Sequence, residues 1–233
     1  MQAIILDTET NNLHGLPVQI AYLPCAITVG GELVTFDELI CDQLYSVDAP
    51  ICHAAMAVHH ILESDLVGMP SHKTFTLPSE VTYIAGHNID YDLEALKKCG
   101  IDTSKYLPIC TLAIARKLYP HATSHSMSAL SYMLSDNPEE TRNQLRNAHN
   151  AKADILLTAQ VLRKMVKTLG VTSLQALYEY SVEASTPTFI HFGKYKGTAL
   201  VNLPPDYVRW LLGTDNLDPK MRRALENRKG GTV

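Results

Sequence analysis

Two carboxylates, one residue apart, end the first apolar run of this chain: Asp7 and Glu9 in AIILDTET. In a strand, residues i and i+2 point to the same face, so these two acids share one. On a buried strand they repel each other and resist desolvation. A divalent cation between them removes both difficulties. The plainer alternative is a strand end emerging into water with two surface acids. Ile4, Ile5 and Leu6 weigh against it, because they bury the strand up to the first acid.

Two more acids close nearly identical words, HNIDYD at His87–Asp92 and HNAKAD at His149–Asp154. Asp92 follows the β-rich run VTYIAGH and falls where a helix begins. Asp154 falls near the start of the long amphipathic segment ADILLTAQVLRKMVKTLG. Brought together with Asp7 and Glu9, they offer hard oxygen donors suited to Mg²⁺ or Mn²⁺ rather than zinc. Two such ions about 4 Å apart form the clamp used for in-line displacement at phosphorus. His149 stands five residues before Asp154, about 140° away around a regular helix. That places it on the loop leading into the helix, where a neutral imidazole is a natural general base near pH 7. His87 ends a buried strand and reads as an orienting histidine.

The elements that must hold these residues follow from the hydrophobic pattern. VQIAYLPCAITV and ELVTFDELI read as two strands joined by a Gly30-Gly31 turn. Residues 53–67 have helical spacing. DLEALKKCG is a helix closed by Gly100, TLAIARKLYP one stopped by Pro120, and SMSALSYML one capped by Ser126. Strands come first and helices after, which predicts a layered α/β domain over residues 1–180. Small residues and Pro around 183–189 mark a linker, and a compact module over 186–233 follows it.

At 233 residues with 46% hydrophobic and 19% charged content, the chain can bury a core. No run approaches the ~20 apolar residues of a membrane span. The N-terminus has no basic or cleavable leader pattern, so a cytoplasmic protein with no membrane partner is expected. Five cysteines without a C-x-x-C argue against disulfides and structural zinc, and each reads as a small buried hydrophobe. Charge is uneven. Residues 1–185 carry 12 Lys/Arg against 20 Asp/Glu, while residues 186–233 carry 8 against 4. A basic tail on an acidic body points to nucleic acid or to a solvated basic surface.

The words DTET, HNIDYD and HNAKAD, in this order, resemble the motifs of the DEDDh 3′→5′ exonucleases, the superfamily of the polymerase proofreading subunit and ribonuclease T. The likeness spans residues 1–170. It implies an RNase H-like exonuclease fold, a mixed central sheet flanked by helices. Asp7, Glu9, Asp92 and Asp154 would be the ligands of two Mg²⁺, with Mn²⁺ able to substitute, and His149 the base. Tyr91 stands where the second motif has Phe. Asn150 stands where the sister subfamily has its Tyr, so the histidine subfamily fits. NNL after DTET resembles the segment whose Leu wedges against terminal bases, which implies a substrate role for Leu13 and its neighbours His14 and Thr10. MAVHHILESDLV resembles a segment that would bring His59 and His60 to the 3′ nucleotide, with Asn88 nearby. Gln19 departs from the Glu common before IA.

The VHH segment and the tail words FGKYKG and PDYVRWL resemble the bacterial exodeoxyribonuclease X branch. Release of 5′-mononucleotides from single- or double-stranded DNA 3′ ends is then implied, in DNA repair. Two other readings stand: an RNA 3′-exonuclease, since these motifs do not read the 2′-OH, and a non-catalytic nucleic-acid-binding module. In the tail, Lys194, Lys196, Arg209, Arg222, Arg223 and Arg228 with Tyr195 form either a phosphate-tracking groove with a stacking platform or a small module packed around Trp210.

Overall fold

Alternate residues of the first strand are apolar on both sides, and both sides are covered. In the computed structural model, which describes residues 2–146, 150–190 and 192–228, β1 (Ala3–Thr10) is the central strand of a mixed sheet. It pairs antiparallel with β2 (Pro17–Ile27) and parallel with β5 (Tyr83–Gly86), which pairs parallel with β6 (Leu107–Cys110). The outer edge of β2 carries β3 (Leu33–Thr35) and β4 (Cys41–Leu44) one after the other. Of the strand expected over residues 32–40 only Leu33–Thr35 forms; a 3₁₀ turn at Asp37–Leu39 ends it, and β4 follows as a further short strand.

The two faces of β1 belong to different layers. Ala3 and Ile5 face α6 (Ala151–Leu169), which buries Ile155, Ala159, Leu162 and Val166 against them with help from α3 (Thr111–Leu118) and α4 (Met127–Leu134). Ile4 and Leu6 face the opposite layer, where α2 (Asp90–Lys98) buries Leu96, and Ile20, Ile84 and Ile89 complete the cluster. Burial on both faces of one strand is what an apolar run without alternation encodes. A mixed sheet flanked by helices is the architecture expected from the sequence.

Several local expectations change. The helix expected over 53–67 ends early: α1 spans His53–His59, and His60 closes it in the left-handed conformation at φ 59° before a separate 3₁₀ turn at Glu63–Leu66. Strand β6 and two helices, α5 (Pro138–Leu145) and α7 (Leu174–Ser185), are additions. The start of α5 was legible: Asn137 caps it through its side chain, Pro138 opens it and Glu139 and Glu140 fill the first turn. α7 runs into the expected linker. Of the cysteines, Cys25, Cys99 and Cys110 are buried, but Cys41 is half-buried and Cys52 exposed, so the buried reading fails for those two. Among the described residues no helix is long and apolar enough to cross a membrane.

The chain divides into two compact units, Met1–Ser181 and Val182–Val233. The second has its own core of Ile190, Leu200, Leu203, Val208, Leu211, Met221 and Leu225, supplied in part by α8 (Pro205–Leu212) and α9 (Pro219–Glu226). Trp210 is not in that core and is 61% exposed, so the module is not packed around it. Two of the expected phosphate-facing cations serve the fold instead. Arg222 donates to the carbonyls of Leu212 and Thr214, and Arg228 to those of Leu200 and Leu203.

Gly86 ends β5 where the chain passes under Leu6. A Cβ there would stand 2.6 Å from Ile89 Cδ1 and 2.9 Å from the Leu6 carbonyl oxygen. Gly86→Ala should destabilise the protein by about 1–3 kcal/mol through overpacking, read by denaturant unfolding; unchanged stability would contradict this close approach.

Candidate active site

The strand places its acids as the spacing requires. Asp7 and Glu9 lie on the α6 face of β1, near its carboxyl end, and Asp154 reaches them from the first turn of α6. One carboxylate oxygen from each of Asp7, Glu9 and Asp154 lies within 4.8 Å of the others. Asp92 comes from the other layer. It is buried in the first turn of α2, and its Oδ1 accepts a 2.8 Å hydrogen bond from the Thr8 hydroxyl. Thr8 points away from the Asp7 and Glu9 face, so it fixes the fourth acid from the opposite side of the strand.

The electrostatics are those of buried carboxylates crowded together. Burial, followed by the charges of Asp92, Glu9 and Asp154, holds Asp7 well above the ordinary carboxylate range. Burial and the charges of Asp154 and Asp92 push Glu9 up to about 8. Burial raises Asp92 to about 7, although hydrogen bonds from Thr8 pull it down. Three converging carboxylate oxygens with this mutual repulsion form a donor set that fits hard divalent cations such as Mg²⁺ or Mn²⁺.

The mouth of the cluster is a fastened loop. Asn11 is buried; its Oδ1 accepts from the Leu16 amide at 2.7 Å and its Nδ2 donates to the Pro50 carbonyl at 2.9 Å. Gly15 leaves room for this, since a Cβ there would meet Asn11 Oδ1 at 2.2 Å. Lys98 of α2 donates to the carbonyls of His14 and Gly15. The loop presents Leu13 to solvent at 77% exposure. His14 is exposed, adopts φ 60° and sits with its ring 5.7 Å from that of Tyr91. Thr10 is buried and shares a short hydrogen bond with the Tyr91 hydroxyl, a group that a Phe at this position would not supply.

The two adjacent histidines separate. His59 is buried; its Nδ1 accepts from the Ile61 amide at 3.0 Å, so Nε2 carries the proton and faces the Thr10 carbonyl at 3.3 Å. Burial lowers its pKa, so it ties the end of α1 to the end of β1 as a neutral ring. His60 is exposed, as is Asn88, which adopts φ 66° between β5 and α2. His87 turns its Nδ1 to the Thr111 hydroxyl at 3.0 Å, and burial depresses it to about 4. Its ring is therefore neutral. His149 lies outside the described residues.

Gln19, the departure from the Glu common before IA, links the strand pair to the start of α6. It is buried opposite Glu9 in the strand pair. Its Oε1 accepts from the Ala151 amide at 3.2 Å, and its Nε2 donates to Asp42 Oδ1 at 2.7 Å. The amide thereby anchors the N-terminus of α6, which also caps itself through Asn150. A glutamate at 19 has no N–H for Asp42 and would set two acids together. Nothing short-range in the sequence announces this contact across 132 residues; Asn11 and Lys98 were missed for the same reason.

A mixed sheet between helices, with carboxylates gathered at the end of its central strand, is the arrangement of an RNase H-like nuclease. The chain belongs to the exonuclease family typified by ribonuclease T, whose model, described as "Exonuclease", matches residues 4–162. It is a nuclease hydrolase of the DEDDh 3′→5′ type, close to exonuclease X. The structure of exonuclease X in complex with 5′-overhanging duplex DNA is similar at 25% identity and TM-score 0.59, over 77% of this chain and 99% of that one. The zinc-bound E. coli ExoI–ssDNA complex shares the fold at 15% identity and TM-score 0.57, over 94% of this chain and 60% of that one. Residues 181–225 match a second family model, described as "Putative quorum-sensing-regulated virulence factor". No curated protein sequence matches the chain.

Raised carboxylate pKa values make the metal-free fold pH-sensitive with a definite sign. Glu9 at about 8 and Asp92 at about 7 hold protons in the folded state that the unfolded chain has released. Their contribution is fully present below about pH 4 and is lost as pH rises towards 8. Mg²⁺ should therefore raise the melting temperature more at pH 8 than at pH 5, read by differential scanning fluorimetry with and without EDTA. An equal or larger rise at pH 5 would contradict it.

Proposed function

We propose that the chain is a divalent-metal-dependent 3′→5′ exodeoxyribonuclease that releases 5′-mononucleotides from DNA 3′ ends. The observation that carries the reading is the convergence of Asp7, Glu9 and Asp154 within 4.8 Å at the open end of β1. The likeness to exonuclease X, a protein solved with duplex DNA, supports DNA as the substrate. Trimming of 3′ ends is chemistry that DNA repair requires.

In this reading Asp7, Glu9, Asp92 and Asp154 hold two Mg²⁺, for which Mn²⁺ substitutes. What the bound pair supplies is neutralisation of phosphate charge and a lowered pKa for the attacking water. His149, which directly precedes the Asn150 cap of α6, takes the proton of that water. Oxygen attacks phosphorus, the bond to the 3′ oxygen of the preceding nucleotide breaks, and the proton passes on to that oxygen. Leu13 covers the terminal base. His60, His14 and Asn88 line the approach, while Thr10 and His59 hold the backbone behind them. Asn11 and Lys98 keep Leu13 in place by fixing its loop.

A 3′-labelled single-stranded oligodeoxynucleotide incubated with Mg²⁺ tests this. The protein should release labelled mononucleotide, and Asp7→Asn or Asp154→Asn should reduce the rate at least about 10³-fold while raising metal-free stability at pH 8. Full activity in either variant would refute the assignment. His149→Ala should lower turnover about 10²–10⁴-fold and leave Mg²⁺ affinity nearly unchanged; a parallel loss of affinity would make it a ligand. Faster loss of a matched RNA would move the substrate to RNA.

A further inference from the structure

The second unit carries a group of aromatic rings that begins against its core and ends in solvent. Tyr207 and Trp210 are three apart on α8 and so share a face. Their rings stack with centroids 5.4 Å apart at 28°. Tyr195, from the FGKYKG loop, packs against Tyr207 with ring centroids 4.6 Å apart and the planes tilted by 60°. The loop can lie this close because residue 193 is glycine: its φ is +67°, and a Cβ would meet Tyr207 Oη at 2.7 Å. Backbone pairs between Ile190 and both Gly197 and Thr198 close the loop.

The row is anchored at one end and open at the other. Tyr195 and Tyr207 are half-buried against the module's core, while Trp210 is 61% exposed. Cations fringe it. Lys194 lies 5.4 Å over the Tyr195 ring, and Lys194 and Lys196 are both exposed. Arg209 is exposed too and pairs with Asp206 at 3.0 Å. An exposed indole on a pre-stacked phenol, beside lysines, is the chemistry that holds single-stranded nucleic acid: bases stack on the rings and phosphates meet the ammonium groups. Residues 186–233 carry 8 Lys/Arg against 4 Asp/Glu, unlike the acidic remainder of the chain, so the charge of this unit complements a polyanion.

We propose that Tyr207 and Trp210, with Lys194 and Lys196, form a second DNA-binding site that grips single-stranded DNA independently of its 3′ end. The choice of DNA over RNA rests on the exodeoxyribonuclease reading above. A covalently linked second grip raises the local concentration of substrate at the nuclease unit without adding a catalytic group.

The test uses the full chain in EDTA with a circular single-stranded oligodeoxythymidylate, which has no 3′ end for the nuclease unit. Trp210 is the chain's single tryptophan, so its fluorescence reports on this site alone. The circle should quench it saturably. By anisotropy of a labelled circle, Trp210→Ala should weaken binding about 5–100-fold and Trp210→Phe much less, since stacking on an aromatic ring is what is lost. Replacing Lys194 and Lys196 together by Ala should flatten the salt dependence by roughly 1.4 log units of affinity per log unit of salt. Absence of quenching, a Trp210→Ala chain that binds as the parent does, or tighter binding of a matched RNA circle would overturn the proposal. Hydrolysis of a 3′-labelled strand in Mg²⁺ by the same preparation separates the two readings. Hydrolysis without quenching refutes the platform alone, and quenching without hydrolysis refutes the nuclease assignment while the platform stands.

Discussion

Carboxylates crowded at the end of a buried strand repel one another, and the first unit is arranged around that repulsion. Asp7 and Glu9 are on one face of β1 because of strand alternation, and the α6 layer that buries Ala3 and Ile5 delivers Asp154 to the same place. The cost is visible in Asp7, Glu9 and Asp92, all of which bind protons more tightly than ordinary carboxylates. A fold selected for stability alone would replace one of them with an amide. Retaining them is understandable where cations complete the site.

The acids come from both sides of the sheet, so their spacing depends on how the two helical layers register on one strand. Each layer is pinned by a side chain that is not itself among the acids. Thr8 fixes Asp92 from the α2 side. Gln19, oriented by Asp42, fixes the N-terminus of α6. Buried hydrogen bonds of this kind contribute about 1 kcal/mol each to stability, but their larger effect is positional, since a metal site tolerates little drift in its ligands. The same logic extends outward, where Asn11, Gly15 and Lys98 hold the loop that exposes Leu13.

Much of this was legible from local pattern. Strand alternation put Asp7 and Glu9 together, a capping signal marked the start of α4 at Ser126, and the apolar run of β1 announced burial on both faces. What was not legible depends on distant partners or single backbone angles. His60 ends α1 by adopting a left-handed conformation that no periodicity reveals. The separation of buried His59 from exposed His60 follows from that turn. The contacts of Gln19 are not legible because its partners, Asp42 and Ala151, lie far away in sequence. In the tail, composition promised six available cations, but Arg222 and Arg228 cap backbone carbonyls, and Trp210, around which the module was expected to pack, is outside the core.

The claim that cations relieve the carboxylate repulsion has a direct thermodynamic signature. A group with a pKa of about 8 is mostly protonated at pH 7, and a carboxylate must lose its proton to ligate a metal. Calorimetric titration of Mn²⁺ into the metal-free protein at pH 7, repeated in buffers of different ionisation enthalpy, counts the protons released. About one proton or more per chain should be released, and fewer when Glu9 is replaced by Gln. Metal binding with no proton release, or with release unchanged in Glu9→Gln, would contradict it.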